Sequence, residues 1–298
     1  MQKRLTHAQL AKLSGLSRQQ LDDFMADWPS LPVTERRRVA RALVQLAEEN
    51  VELEYNDLFL RLLEDADADV RTQAIEGLWE DERPAAADAL IRVARSDAEA
   101  VRATALKALG RFAYRMALGE LSPSVASRVR EAIVENAAAA TPLAVRRRAV
   151  EAVGHLPDDA SVPGIIREAY RSENPGLRAS AVRAMGFTCD VMWLNTILEE
   201  LESEDPEMRF EAAQAAGQLE DERALPLLIR ATRDRDQEVR LAAVAALGAI
   251  GGQAAREALL RILRGSDEAL SEAADAALDE LDVGTDPLGV RVRDVNPN

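Results

Sequence analysis

The chain has 298 residues, with 52 acidic against 37 basic side chains and a formal net charge of −15. A nucleic-acid partner is met mainly through phosphate and favours a broad basic face, so this balance argues against one. The single cysteine, Cys189, excludes a disulfide framework and a Cys-rich zinc site, and a small buried hydrophobe is its expected role.

Residues 1–30 contain Lys3, Arg4, Lys12, Asp22, Asp23 and Asp27 and no continuous apolar core. No run of eighteen apolar residues occurs anywhere. Neither a leader nor a membrane span is therefore expected, and the cytoplasm is the expected compartment. Thr6 can cap a short helix through Leu13 that Gly15 ends. Ser17 starts a second helix, Arg18 to Trp28, whose Leu21, Phe24, Met25 and Trp28 fall on one stripe at spacings of three and four. Pro29 and Pro32 break it, and Thr34 is expected to cap Glu35–Glu48 with Val39, Leu43 and Leu46 inward. Residues 1–56 read as a helical cap with room for one degenerate repeat, because the end unit of a stack lacks a neighbour.

From residue 57 the sequence repeats itself. An apolar residue precedes an arginine, alanine follows three positions on, and glycine usually follows eight on. The arginines are Arg71, Arg102, Arg146, Arg178, Arg209 and Arg240, separated by 31, 44, 32, 31 and 31 residues. Ahead of them stand Val70, Val101, Val145, Leu177, Met208 and Val239, and behind them Ala74, Ala105, Ala149, Ala181, Ala212 and Ala243. Gly110, Gly154, Gly186, Gly217 and Gly248 complete the last five copies. A seventh copy, Leu270-Ser271-Ala274-Leu278, has lost the arginine. Self-similarity at one period means a stacked array, here 57–281. Each unit reads as a first helix (Leu58, Leu62 and Leu63, or Leu225, Leu228 and Ile229 inward), a turn, and the arginine-bearing second helix. Thr141-Pro142, Asn174-Pro175 and Asp205-Pro206 each place a capping side chain before a proline at the first helical position. The recurring alanine is the expected point of closest helix approach. The 44-residue interval carries 13 extra residues around Arg111–Pro123, which predict a lengthened helix or a packed excursion. Residues 282–298, with Gly284, Pro287, Gly289 and Pro297 and little apolar content, read as a mostly disordered tail.

The repeated Val-Arg…Ala…Leu-Gly helix resembles the HEAT-like repeat, in the short form first noted in phycobilin lyase subunits. The resemblance implies an all-α α-solenoid, an armadillo/HEAT-type superhelix of about seven antiparallel helix pairs with the second helices lining a concave face. It implies no single function, which has to be argued from sites. Deoxyhypusine hydroxylase resembles the same class but carries iron on recurring His-Glu motifs. This chain has only His7 and His155, no His-Glu dipeptide and no pair at helical ligand spacing, so no metal and no cofactor are expected. Cys189 and the scattered serines have no recognisable catalytic partner. Gly251-Gly252 follows a helix end and reads as a turn rather than a phosphate loop.

The charge is uneven. Residues 51–100 net −9, residues 101–149 net +6, and residues 150–298 net −14. If each Val-Arg pair starts a second helix, positions two, three, six and ten after the valine project toward the groove. Lys107, Arg111, Arg147, Arg148 and Arg183 fall there, with Phe187 and Phe210 at the same positions further on. They read either as a basic docking strip for an acidic segment of another protein or as a solvated face paired with Glu151 and other acids. The ladder arginines read as links between repeats, close to Asp69, Asp97, Asp205 and Asp236. The acidic runs from Glu64 to Asp69, Glu80 to Glu82 and Glu199 to Glu207 read as a solvated rim, and Trp79, Trp193 and Phe187 as core aromatics. The expected function is a non-enzymatic protein-binding scaffold. A bilin-lyase-like enzyme or enzyme subunit is the alternative that the resemblance raises. A nucleic-acid-binding HEAT protein, as some base glycosylases of this fold are, is the third reading.

Overall fold

The computed structural model describes residues 6–156 and 159–285, with side chains through residue 281. Among the described residues every regular element is helical. Thr6 and Ser17 accept backbone N–H groups three residues on, while Gln9 and Gln20 accept the caps' own N–H groups. These two capping boxes start α1 (His7–Ala11) and α2 (Arg18–Asp27). A 3-10 turn over Trp28–Ser30 leads to α3 (Val33–Glu49). The expected Thr34 cap is absent. Pro32 holds the cap position with extended ψ, so the helix starts at Val33 and Thr34 lies within its first turn.

The array follows as α4 (Asn56–Leu62), α5 (Ala68–Gly77), α6 (Pro84–Arg95), α7 (Glu99–Ala117), α8 (Pro123–Asn136), α9 (Leu143–Val153) and α10 (Val162–Tyr170). It continues as α11 (Pro175–Phe187), α12 (Leu194–Glu200), α13 (Pro206–Leu219), α14 (Leu225–Ala231), α15 (Gln237–Ile250), α16 (Gly252–Leu263) and α17 (Glu268–Thr285). Asn174 and Asp205 cap α11 and α13 as expected, with Pro175 and Pro206 at the first helical position. At Thr141-Pro142 the cap is Pro142 itself, which moves the start of α9 to Leu143 and leaves Thr141 outside it. The 13 extra residues are shared between two helices: α7 has 19 residues, against 14 in α13 and α15, and α8 has 14, against 7 in α12 and α14. Residues 286–298 of the expected tail lie outside the described residues.

The chain forms two compact units divided in sequence between Ile165 and Ile166. In the first unit α3, α5, α7 and α9 stand side by side, with α4, α6 and α8 packed against them. In the second, α11, α13, α15 and α17 do the same, backed by α12, α14 and α16. The repeat explains this layering. Val70, Val101, Val145 and Val239, and all six alanines three places after the arginines, are fully buried. Each such valine contributes about 1.5–3 kcal/mol by leaving water. Close helix approach is seen at the glycines of the second unit. A Cβ on Gly186 would lie 2.6 Å from Ala215 Cα, one on Gly217 3.1 Å from Ala246 Cα, and one on Gly248 2.8 Å from Ala277 Cβ. The glycine at position eight therefore meets the alanine at position six of the next repeat, and only a missing Cβ allows that spacing.

The ladder arginines reach into neighbouring turns. Arg71 donates to both Asp97 carboxylate oxygens (2.8 and 2.5 Å) and to Asp65 O. Arg209 does the same with Asp234 (2.7 and 2.8 Å) and Ser203 O. Arg102 donates to Ala94 O and Asn136 Oδ1, and Arg146 to Ala137 O. Arg178 lies 3.7 Å from Glu200 and Arg240 lies 3.6 Å from Asp267. Of the acids expected beside the ladder, Asp97 is a partner. Asp69 pairs with Arg37 instead, while Asp205 and Asp236 accept N–H groups of their own helices and, as expected, lie near enough to Arg209 for their charge to raise its pKa. The acidic runs are not wholly solvated either, since Asp65, Asp81 and Glu200 are buried. Asp65 accepts from Trp28 Nε1 and Arg36 Nη1, binding α3 and its preceding turn to the first repeat.

Candidate functional site

In the first unit the exposed side of α5, α7 and α9 holds a cleft of about 260 Å³. Ala103, Thr104 and Lys107 line it from α7, Ile75 and Glu76 from α5, Trp79 from the turn after α5, and Arg148 from α9. The groove register read from the repeat thus places Thr104, Lys107 and Arg148 together. Lys107 is exposed and has no ion pair among the described residues, while Arg148 donates to Glu151 at 2.8 Å. Arg147 is half-buried beside Arg148 on α9 and is not part of the cleft lining.

Two residues depart from expectation here. Trp79 is not a core aromatic: it is 58% exposed. It stands eight places after Arg71, where later copies have glycine, at the position where later helices approach too closely for a side chain. An indole cannot enter that contact, so it stands on the face. Arg111 does not project into the groove as a free cation. It folds back to donate to Leu78 O (3.0 Å) and Asp81 O (3.2 Å), with its guanidinium 5.2 Å from the Trp79 ring centre. Burial holds its pKa below the ordinary arginine value, and its Nε and Nη1 are buried without a partner. Further along α7, Tyr114 is 52% exposed and Leu118 55%. The Tyr114 ring meets His155 edge-on at 5.7 Å, and burial pushes the His155 imidazole down to a pKa of about 4, leaving it neutral.

In the second unit a cleft of about 320 Å³ lies on α11, α13 and α15, with Arg183, Phe187, Gln214 and Gln218 around a floor of Ala242, Ala245 and Ala249. Arg183 is committed within it, donating to both oxygens of the buried Glu211 (2.8 and 2.7 Å). Such a bidentate, desolvated pair leaves little capacity for an outside acid. Phe187 and Phe210 are both half-buried, and Phe187 lines the cleft. Trp193 is core as expected, with Arg167 over its ring at 5.2 Å. Cys189 is exposed rather than buried and has φ +51°, because it follows the end of α11 in a tight turn. Gly251 and Gly252 have φ of +70° and +82°, a turn that admits glycine readily.

Trp79, Tyr114 and Leu118 were missed from sequence as surface residues. For Trp79 the signal was available: a tryptophan replacing a glycine in register. Among the described residues no group of three or more His, Cys, Asp and Glu side chains is placed to hold a metal ion.

Helix pairs stacked through a buried Val…Ala stripe and an arginine ladder define an α-solenoid repeat protein. The chain belongs to the HEAT-repeat family, whose model, described as HEAT repeats, matches residues 55–141 and 194–279. No curated protein sequence matches it. Among solved structures it is similar to YibA of Escherichia coli, at 20% identity and a TM-score of 0.50, over 95% of this chain and 99% of that one. It is also similar to the complex of CpcE and CpcF of phycocyanin lyase from Nostoc sp., at 20% identity and a TM-score of 0.54, over 76% of this chain and 93% of that one. At such identities the likeness is one of fold.

Proposed function

We propose that this chain is a non-enzymatic scaffold whose second-helix faces hold another protein through an acidic segment. In this reading residues 1–56 cap the array 57–281. One observation carries the proposal: an exposed tryptophan shares a cleft with Lys107 and Arg148, two cations from a stretch, 101–149, that nets +6 in a chain of −15. An acidic segment is drawn to the cations of residues 101–149, while the acids of residues 51–100, which net −9, border the same cleft at Glu76 and limit where it can lie. That contrast fixes register as well as attraction. Arg147 lies beside the cleft and adds to its potential, while Phe187 and Phe210 offer apolar contacts on the second unit. The cytoplasm is the compartment this reading expects, and among the described residues no helix is long and apolar enough to cross a membrane. The ladder arginines are assigned to stability, not to the partner.

The test is a double charge reversal, Lys107→Glu with Arg148→Glu, in the full chain. Partners captured from native lysate are compared by mass spectrometry with those of the unaltered protein, and both proteins are melted. Stability should fall by about 1–3 kcal/mol, since Arg148 gives up a part-buried bond to Glu151, and the fold should remain intact while the captured acidic partner is lost. An unchanged partner set on an intact fold removes the reading. The CpcE–CpcF complex of phycocyanin lyase raises a second reading, a bilin-lyase-like subunit. Co-purification of a coloured tetrapyrrole would put that reading in its place.

A further inference from the structure

We infer that the lengthened α7 makes the first unit a two-point dock for an acidic protein segment carrying two apolar anchors, one seated at Trp79 and the other at Tyr114 and Leu118. The inference rests on the protein-binding reading above and adds the pattern that the partner must carry. Lys107, Arg111, Tyr114 and Leu118 are spaced four, three and four apart, which places them on one stripe of α7. At its upper end Lys107 lines the cleft at Trp79. Its lower half exists because α7 runs to 19 residues, so the insertion in the repeat is what supplies Tyr114 and Leu118.

Three large apolar side chains, each more than half exposed, are an unusual cost for one small face of a soluble domain, and such patches mark interaction sites. The two aromatic rings are also held in place. The Arg111 guanidinium lies 5.2 Å from the Trp79 ring, and His155 meets Tyr114 edge-on at 5.7 Å. Aromatics fixed before binding lose little conformational freedom on contact, which is what an anchor site requires.

Charge selects the occupant. Lys107 lines the cleft at the first anchor and has no acid partner among the described residues, with Arg148 across the cleft. Toward Leu118 the acids Glu82 and Glu120 are already engaged by Arg115 at 2.9 Å each. A carboxylate on the partner is therefore placed at Lys107, beside the first anchor. From Lys107 to Leu118 the helix rises about 16 Å at 1.5 Å per residue, which an extended segment covers in about five residues at 3.3 Å each. The segment this face fits is an apolar residue next to an aspartate or glutamate, with a second apolar residue about five positions away. Phosphate-bearing nucleic acid fits less well, because one cation unpaired among the described residues, Lys107, suits a single carboxylate rather than a run of phosphates.

The test is a display selection of random short peptides on the full chain, followed by binding measurements on purified winners. The expected winners carry a carboxylate next to one apolar residue and a second apolar residue about five positions on. Their affinity should fall about tenfold with Leu118→Ser and again with Lys107→Glu, with the melting temperature unchanged in both. No enrichment, or winners without acids, overturns the inference. Winners weakened by Lys107→Glu but untouched by Leu118→Ser overturn the two-point dock while leaving the protein-binding reading standing. Winners indifferent to Leu118→Ser, Trp79→Ala and Lys107→Glu alike place binding elsewhere and overturn both.

Discussion

The two units are built from one repeat and use it differently. In the second unit the arginines keep a spacing of 31 residues, and the glycines at position eight press against the next helix. The groove-facing Arg183 is bound to Glu211. In the first unit one spacing stretches to 44, a tryptophan replaces one glycine, and a Cβ on Gly110 would meet Ala152 Cβ at an ordinary 3.6 Å. The cleft of the regular unit pairs its arginine with Glu211 and presents alanine and glutamine. The irregular unit leaves Trp79, Lys107, Tyr114 and Leu118 on its surface. Departures from the repeat are therefore the first place to look for function, because strict repetition is already accounted for by packing.

The largest expected effect is common to both units and tests whether one ladder builds them. Arg209→Ala removes a buried, bidentate partner and strands Asp234 and two turn carbonyls, which should cost about 3 kcal/mol. Arg71→Ala should cost about the same through Asp97. Arg178→Ala, with a single 3.7 Å approach and a side chain 39% exposed, should cost about 1 kcal/mol or less. Urea unfolding of the three variants gives the ranking. Equal losses would mean that the ladder is not what joins the repeats.

Glycine replacement separates the units more directly. Gly186→Ala forces a Cβ to 2.6 Å from the backbone of Ala215, so helices must part, at about 1–3 kcal/mol. Gly110→Ala meets only Ala152 at 3.6 Å and removes a flexible residue from a helix interior, which should stabilise by about 0.5–1 kcal/mol. Thermal melts of opposite sign are the expected outcome. Two losses of similar size would show that the first unit is packed as closely as the second.

Much of this fold was legible because period and identity coincide. Val239, Ala243, Val244 and Leu247 are all fully buried, on the stripe that the α period predicts. The site was legible only in part. The register put Thr104, Lys107 and Arg148 on one cleft, since a helix face follows from spacing alone. What spacing does not give is where a long side chain turns. Arg111 and Arg183 occupy groove positions, yet each finds a buried carbonyl or carboxylate within reach and folds toward it. The exposure of Cys189 and the proline caps of α3 and α9 depend on backbone angles at single residues, which no pattern of apolar spacing encodes.

A smaller effect distinguishes the first unit by pH. His155 has a folded-state pKa of about 4 against an ordinary 6.5 because of burial. Between those values the unfolded chain binds the extra proton, so stability should fall as pH drops from 6.5 toward 4. Asp234, held below 3.8 by its hydrogen bond from Arg209, loses its contribution only at lower pH, so the windows are separable. His155→Phe should flatten the melting temperature across pH 4–6.5 and leave the steeper acid limb in place. An unchanged slope would show that His155 is not what titrates there.

The smallest expected change in stability concerns Arg111. Two effects oppose each other there. Arg111 satisfies Leu78 O and Asp81 O and lies against the Trp79 ring, contacts worth roughly 0.5–1.5 kcal/mol each. Against them stands the burial of a cation whose Nε and Nη1 have no partner, a cost of about 1–3 kcal/mol. Arg111→Met keeps most of the aliphatic volume and removes both the bonds and the unmet donors. The melting temperature should therefore stay close to that of the unaltered protein, within about 1 kcal/mol of stability. Trp79 is expected to respond instead: without the guanidinium against its ring it should be quenched more readily by acrylamide and rotate more freely, read by fluorescence after Trp28 and Trp193 are replaced by Phe. A large loss of stability would assign Arg111 to the ladder's structural role. Unaltered quenching would mean that the indole is held by the turn after α5 alone, and the first unit would lose the preorganised anchor that sets it apart from the second.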